Sequence, residues 1–146
     1  MPHPAPVTDC EYRALADVRY TIRRFLAFSE AAARDAGVEP QQHQLLLAIR
    51  GLPEGARADL TTLAERLQVR HHSVVELAGR AEAAGLVARV ADPDDARRVI
   101  LHLTRPGDAL LARLSREHRD ELAAAGRQLG RAIRTLAGTG NRRRRG

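Results

Sequence analysis

Arg70, His71, His72, Ser73, Glu76 and Arg80 crowd one short stretch of the chain, and Asp95, Arg97 and Arg98 a second. Their chemistry suits an anionic, hydrogen-bonding partner. A guanidinium makes paired contacts with phosphate or guanine, and an imidazole N–H donates to acceptors such as guanine N7. A hydroxyl reaches a base or a phosphate, and a carboxylate accepts from cytosine N4. The adjacent histidines invite a metal reading, but neighbouring residues on a helix diverge by about 100° and cannot both face one ion, so no metal is expected. Glu76 has a second use as the i,i+4 partner of Arg80, and both uses stay open. Cys10 is the single cysteine, which leaves no disulfide framework and no multi-cysteine zinc site and points to a reducing, cytoplasmic setting. There is no nucleophile–base–orienter set and no glycine-rich phosphate loop, so neither an enzyme nor a cofactor is expected.

The charge balance agrees. The 146 residues carry a formal net charge of +6, and all 24 basic side chains are arginine. G+C-rich codons favour arginine over lysine, so it is the net positive charge, drawing anionic partners, that enters the argument. Apolar residues make up 44% of the chain and aromatic ones 3%, a mix that favours helices packed through small side chains. The length is that of one domain. There is no 18-residue apolar run, and residues 1–8 hold three prolines, so the expectation is no membrane span, no signal peptide and a disordered N-terminus.

The elements that must position these residues follow from caps and periodicity. Thr8-Asp9-Cys10-Glu11 fits a capping box, and Leu15, Val18, Ile22, Phe25 or Leu26, Ser29 and Ala33 then recur at helical spacing to Gly37. A helix this long suggests packing against a partner subunit. Pro40 opens a second helix ending at Arg50, and Asp59 caps a third that runs through Leu67. The three-residue turn Gln68-Val69-Arg70 leads to a fourth helix, from about His71 to Ala84, stopped by Gly85. Two short helices joined this way form a helix-turn-helix. Val74, Leu77, Ala78 and Ala81 are expected to face the core. Residues 86–90 and 99–103 read as strands joined by a basic turn, a hairpin wing. Thr104 caps a last helical stretch to about residue 137, with a break expected at Gly126 and Gly130 and a disordered basic tail from Gly138. Leu15, Val18, Ile22, Leu129, Ile133 and Leu136 exceed what such a core needs, and a two-fold homodimer is expected from them.

Four motifs stand in register: Leu63-Ala64-Glu65-Arg66-Leu67; Gly85-Leu86-Val87 with Arg89; Asp92-Pro93-x-Asp95-x-Arg97; and Leu103-Thr104-x-x-Gly107. In order and spacing they resemble the MarR family of winged helix-turn-helix regulators, from about residue 12 to 137. The resemblance implies a mainly α fold with a β-hairpin wing. Its DNA-binding lobe would span about 40–104, between dimerisation helices at about 9–36 and 105–137. It implies a sequence-specific regulator of double-stranded DNA, a repressor at an inverted-repeat operator relieved by a small-molecule effector. The recognition helix would enter the major groove, with Arg70, His71, His72, Ser73 and Glu76 at the DNA and Arg80 on a phosphate. Arg97 would reach into the minor groove, steered by an ion pair with Asp95, while Arg98 and Arg89 meet phosphates. Where the family places a cap, this chain has Arg70. Tyr20, Arg23, Arg24, His43 and Gln44 fall in the region of the family's effector cleft, but the residues alone single out none. Cys10 resembles the oxidisable cysteine of OhrR-type peroxide sensors, although Tyr12 and Tyr20 stand at other offsets than the aromatic residues that accompany it there. A winged helix that binds protein and not DNA is the remaining alternative, against which Arg97 and the basic recognition helix both argue.

Overall fold

The computed structural model describes residues 5–142, with side chains as far as Gly138. In chain order the elements are α1 (Asp9–Asp35), α2 (Pro40–Arg50), α3 (Leu60–Leu67), α4 (His71–Ala83), β1 (Val87–Ala91), β2 (Val99–Leu103) and α5 (Arg105–Arg142). The fold is mainly α with one two-stranded antiparallel hairpin. Among the described residues no helix is long and apolar enough to cross a membrane. The chain divides into two compact units, one of residues 30–116 and one made from the residues up to Ser29 with those from Glu117.

The second of these is a pair of helices. Thr8 caps α1: its Oγ1 accepts from Glu11 N at 3.2 Å, and Glu11 Oε2 accepts from Thr8 N at 2.8 Å and Thr8 Oγ1 at 2.9 Å. Glu11, Ala14 and Thr21 are buried and Val18, Phe25 and Phe28 half-buried, so the inner stripe repeats at three and four residues. On α5 the buried residues His118, Ala125 and Ala132 lie seven apart. Phe25 and Phe28 present their edges to the His118 ring at 5.9 and 5.4 Å, and His118 Nε2 lies 2.7 Å from Ser29 Oγ. Farther along, Thr21 shares a groove with Gln128 and Ala132, so the two helices run antiparallel.

Two expectations need correction here. The helix does not break at Gly126 and Gly130. The seven-residue stripe passes both glycines without a change of phase, and nothing lies within 4 Å of a Cβ built at Gly126. A helical glycine costs only about 1 kcal/mol, which the packed stripe offsets. The tail does not begin at Gly138, because α5 continues through Arg142, and Arg143–Gly146 lie outside the described residues. On α1 the large apolar residues Leu15, Ile22 and Leu26 face outward, 44–48% exposed, while Ala14 and Thr21 are buried and Val18, Phe25 and Phe28 half-buried on the inside.

The other unit is built on the helix-turn-helix. Leu45 and Leu46 of α2, Leu63 of α3, Val74, Leu77, Ala78 and Ala81 of α4 and Leu101 of β2 are buried together with Leu111 and Leu114 of α5. The four α4 residues are those that the periodicity places inside. Strand pairing runs from Val87↔Leu103 to Ala91↔Val99. Leu86, expected in the first strand, instead closes α4: its N–H donates to Ala81 O at 3.0 Å, beyond Gly85 at φ 73°. The chain then returns over this corner, with Thr104 N donating to Leu86 O at 3.0 Å and Thr104 Oγ1 to Gly85 O at 2.6 Å. Gly107 lies in the first turn of α5 against this corner, where a Cβ would overlap the Leu86 carbonyl. Gly107→Ala is therefore expected to destabilise the fold by about 1–3 kcal/mol. Urea unfolding measures this, and a midpoint equal to that of the unmodified protein would refute the close approach.

Candidate nucleic-acid interface

The turn between α3 and α4 is tight because both ends of α3 are closed. Asp59 Oδ1 accepts from Thr62 N at 2.8 Å at the start. At the end Gln68 enters the left-handed region at φ 55°, Val69 N donates to Ala64 O at 3.0 Å, and Gln68 Nε2 donates to Glu65 O at 2.8 Å. Then α4 begins at His71, with Arg70 as its N-cap and no side-chain cap bond. An uncapped N-terminus leaves its amides suited to a phosphate. Arg70, His71, His72 and Glu76 are exposed, with His72 and Glu76 on the side of α4 opposite Val74, Leu77 and Ala81, and Ser73 is half-buried at the edge of that core face.

The wing meets the start of this helix. His71, Asp95, Arg97 and Arg98 line one cleft of about 530 Å³ together with Asp59 and Thr62. Arg97 is 94% exposed, with its Nε 3.5 Å from Asp95 Oδ1, and Asp95 Oδ1 also accepts from Arg97 N at 3.1 Å. The carboxylate thus orients the base of the side chain and leaves its end free, as the resemblance implies.

Other expected contacts are arranged differently. Arg80 is tied to the start of α2, with Nε 3.2 Å from Glu39 Oε2 and Nη2 3.5 Å from Gln41 Oε1. Its partner is therefore on the start of α2 and is not Glu76. Arg98 Nη1 lies 3.8 Å from Asp92 Oδ2 and 4.0 Å from Asp59 Oδ2, and Arg89 Nε lies 3.5 Å from Glu82 Oε1. Each of these arginines must leave a carboxylate to reach a phosphate. The Arg89–Glu82 pair is partly exposed, so that exchange costs little. Asp92 is buried and keeps Arg57 when Arg98 leaves. Cys10 is exposed in the helical pair, where it lines a groove with Arg13, Asp17, Tyr20 and Arg131.

One residue escaped the sequence reading. Arg57, in the polar turn before α3, bridges Asp92 and Asp94 with its two terminal nitrogens. Asp92 is buried, and its Oδ1 also accepts from Asp94 N at 2.9 Å. The Asp94 amide and then the Arg57 and Arg98 guanidinium groups hold the Asp92 carboxyl below its ordinary 3.8, against the opposing effect of burial. The same two carboxylates raise the Arg57 guanidinium above its ordinary value.

Comparison with known proteins adds the family. A model described as MarR family matches residues 36–98. A protein of Thauera aromatica, assigned as a transcriptional regulatory protein for the hcr operon, is 32% identical over 96 residues, 66% of this chain and 56% of that protein. The HTH-type transcriptional regulator FarR of Neisseria gonorrhoeae is 33% identical over 96 residues, 66% of this chain and 64% of FarR. The chain thus spans less than two thirds of the length of either relative. Among solved structures, a mutant MarR from E. coli complexed with operator DNA has a TM-score of 0.66 at 19% identity, covering 86% of this chain and 89% of that one. NadR in complex with 4-hydroxyphenylacetate has a TM-score of 0.62 at 25% identity, covering 95% and 94%.

The charges around Asp92 give a pH dependence of their own. A carboxyl held low in the folded state contributes stability that is fully present above its ordinary value of 3.8 and is lost as the pH falls through the folded value. Asp92→Asn keeps an oxygen to accept from Asp94 N but removes the charge. It is expected to melt below the unmodified protein at pH 7, with the gap closing in acid below pH 3.8. Thermal melts at the two pH values check this, and a gap that stays constant across them would count against the ionised pair.

Proposed function

The chain belongs to the MarR family, and on that premise we propose that it is a homodimeric, sequence-specific double-stranded DNA-binding repressor that acts in the cytoplasm on an inverted-repeat operator and is relieved by a small ligand. The observation that carries the DNA-binding reading is the cleft that His71 shares with Arg97 and Arg98. It joins the first residue of the recognition helix to the wing, so one protein surface can address a major groove and the neighbouring minor groove together. His72, Ser73 and Glu76 then face base edges, and Arg70 and the amides beside it face a phosphate. Arg97 enters the minor groove, where its exposed guanidinium answers the negative potential of an A·T-rich segment. Arg80 and Arg98 reach phosphates by exchanging their carboxylate partners. The operator-bound MarR structure supports the DNA partner, and NadR with its bound aromatic acid supports an effector.

The lobe at about 40–104 carries the DNA contacts and the helices at about 9–36 and 105–137 the dimer. The outward apolar stripe supports the second assignment: Leu15 and Ile22 on α1 and Ile133 on α5 are 47%, 44% and 55% exposed in the single chain. A dimer covers them, and two-fold symmetry then places two recognition helices about one helical turn of DNA apart. Sedimentation is expected to give a dimer at micromolar concentration, and a monomer there would reject the assignment.

The DNA reading is tested on a duplex that the protein selects from a random-sequence library. Arg97→Ala is expected to weaken binding to that duplex by about 1–3 kcal/mol and to reduce the preference for A·T flanks. His72→Ala or Ser73→Ala instead relaxes discrimination at particular base pairs within each half-site. Arg97→Ala binding like the unmodified protein would mean that the wing takes no part. Selection of single-stranded DNA, or of one unrepeated half-site, would overturn the operator geometry.

A further inference from the structure

We propose that Arg57, on the turn that precedes α3, is the positioning residue of the wing: its guanidinium grips Asp92 and Asp94 across Pro93 and so sets where Arg97 meets DNA. This inference rests on the DNA-binding reading above and adds to it a residue outside both the recognition helix and the hairpin.

The wing has little of its own to hold it. A two-stranded hairpin alone is marginal in water, and of the five residues of β1 only Val87 is buried. The loop from Asp92 to Arg98 is closed on itself by three bonds: Asp92 N to Arg98 O, Arg98 N to Asp95 O and Asp94 N to Asp92 Oδ1, each 2.9 Å. These give the loop a shape but not a direction. The docking of β2 at Ala58 and Asp59 directs the strands, and the loop itself is directed by Arg57 and by the long approach of Arg98 to Asp59 at 4.0 Å. Arg57 is itself fixed at its root, because the next residue, Ala58, accepts from Leu101 N at 2.9 Å. A planar fork rising from a fixed root meets two carboxylates two residues apart. An ammonium cannot hold both in that geometry.

Arg57 also decides where Arg98 sits. The Asp92 side chain is 1% exposed and its Oδ2 accepts no hydrogen bond, facing Arg98 Nη1 at 3.8 Å. While Arg57 holds Oδ1, the carboxylate charge is met and Arg98 stays half-exposed in the cleft with Arg97. Without Arg57 the buried carboxylate has Arg98 as its remaining cation, and a buried charge without a partner is costly. Arg98 is then drawn inward, off the DNA side. Losing Arg57 therefore disturbs both wing arginines, although Arg57 needs no contact with DNA.

The test uses the duplex selected by the unmodified protein, a scrambled duplex of the same length and amide hydrogen exchange without DNA. Arg57→Gln is expected to weaken binding to the selected duplex roughly tenfold, with a change of less than about twofold on the scrambled one. Preference for A·T flanks falls with it. In an Arg97→Ala background the same substitution costs less than it does alone, the remainder being the part that passes through Arg98. Arg57→Lys keeps the charge without the fork and stays weak. Asp94→Asn, at an exposed carboxylate where folding is not at stake, reproduces part of the loss. Amides of residues 92–98 exchange faster in Arg57→Gln and Asp94→Asn than in the unmodified protein. An equal loss on both duplexes, additive with Arg97→Ala and restored by Arg57→Lys, would make Arg57 a plain phosphate contact and overturn the proposal. So would unchanged exchange in the loop. If the unmodified protein selects no duplex, the DNA reading fails, and the exchange result still decides whether Arg57 holds the loop.

Discussion

The arrangement depends on a short backbone junction at Ala58 and Asp59. Ala58 O accepts from Leu101 N at 2.9 Å, and Asp59 forms a bridge with Ile100. Asp59 meanwhile caps α3 through Thr62 N and stands 4.0 Å from Arg98. One residue thus starts the first helix of the helix-turn-helix, docks the wing strand and faces a wing arginine. Burial of Leu101 makes the docking favourable, since a strand with its inner residues in the core cannot leave without exposing them. The wing is held as a third edge of the helix-turn-helix and is not a free hairpin.

What was legible in the sequence is what local chemistry specifies. Asp59 and Thr8 announce helix starts because their side chains reach N–H groups three residues on, and Val74, Leu77, Ala78 and Ala81 announce a buried face because the helix period is fixed. The wing pair Asp95 and Arg97 came from the family resemblance and not from local chemistry. Arg57 was not legible. Its partners lie 35 and 37 residues away, and a charged residue in a polar turn looks like any solvated side chain. The ion pair of Arg80 with Glu39 was hidden in the same way, since Glu39 lies 41 positions earlier. The unbroken α5 was missed because its buried stripe is marked by Ala125 and Ala132, and alanine carries too little apolar signal to outweigh two glycines.

The carboxylates of this basic protein have a consistent place. Asp95, Asp92 with Asp94, Glu39 and Glu82 each stand against an arginine on or near the proposed DNA face. Pairs this exposed add little to folding stability. Their effect is on direction: a long cation free to rotate loses side-chain entropy when it is fixed on DNA, and one already held loses less. Asp92 is the exception, because it is buried. Its pairing with Arg57 is therefore a structural requirement and not a loose preference.

The helical pair poses the complementary problem. Its fully buried positions are mostly small or polar, among them Ala14, Thr21, Ala125 and Ala132, and the larger Val18, Phe25 and Phe28 are only half-buried, so the two helices lie close but remove a modest apolar surface from water. The larger apolar residues, Leu15, Ile22, Leu26, Leu122 and Ile133, are on the outside. A pair of helices packed through small residues and clothed in exposed leucine and isoleucine is weakly held as a monomer and gains much by association. The dimer proposal therefore follows from how the side chains are distributed between the two faces of α1, and the length of the helix alone would not have given it. On the dimer proposal, folding of this pair and assembly would be a single event, since a second copy would cover the exposed apolar face that the helices do not bury themselves.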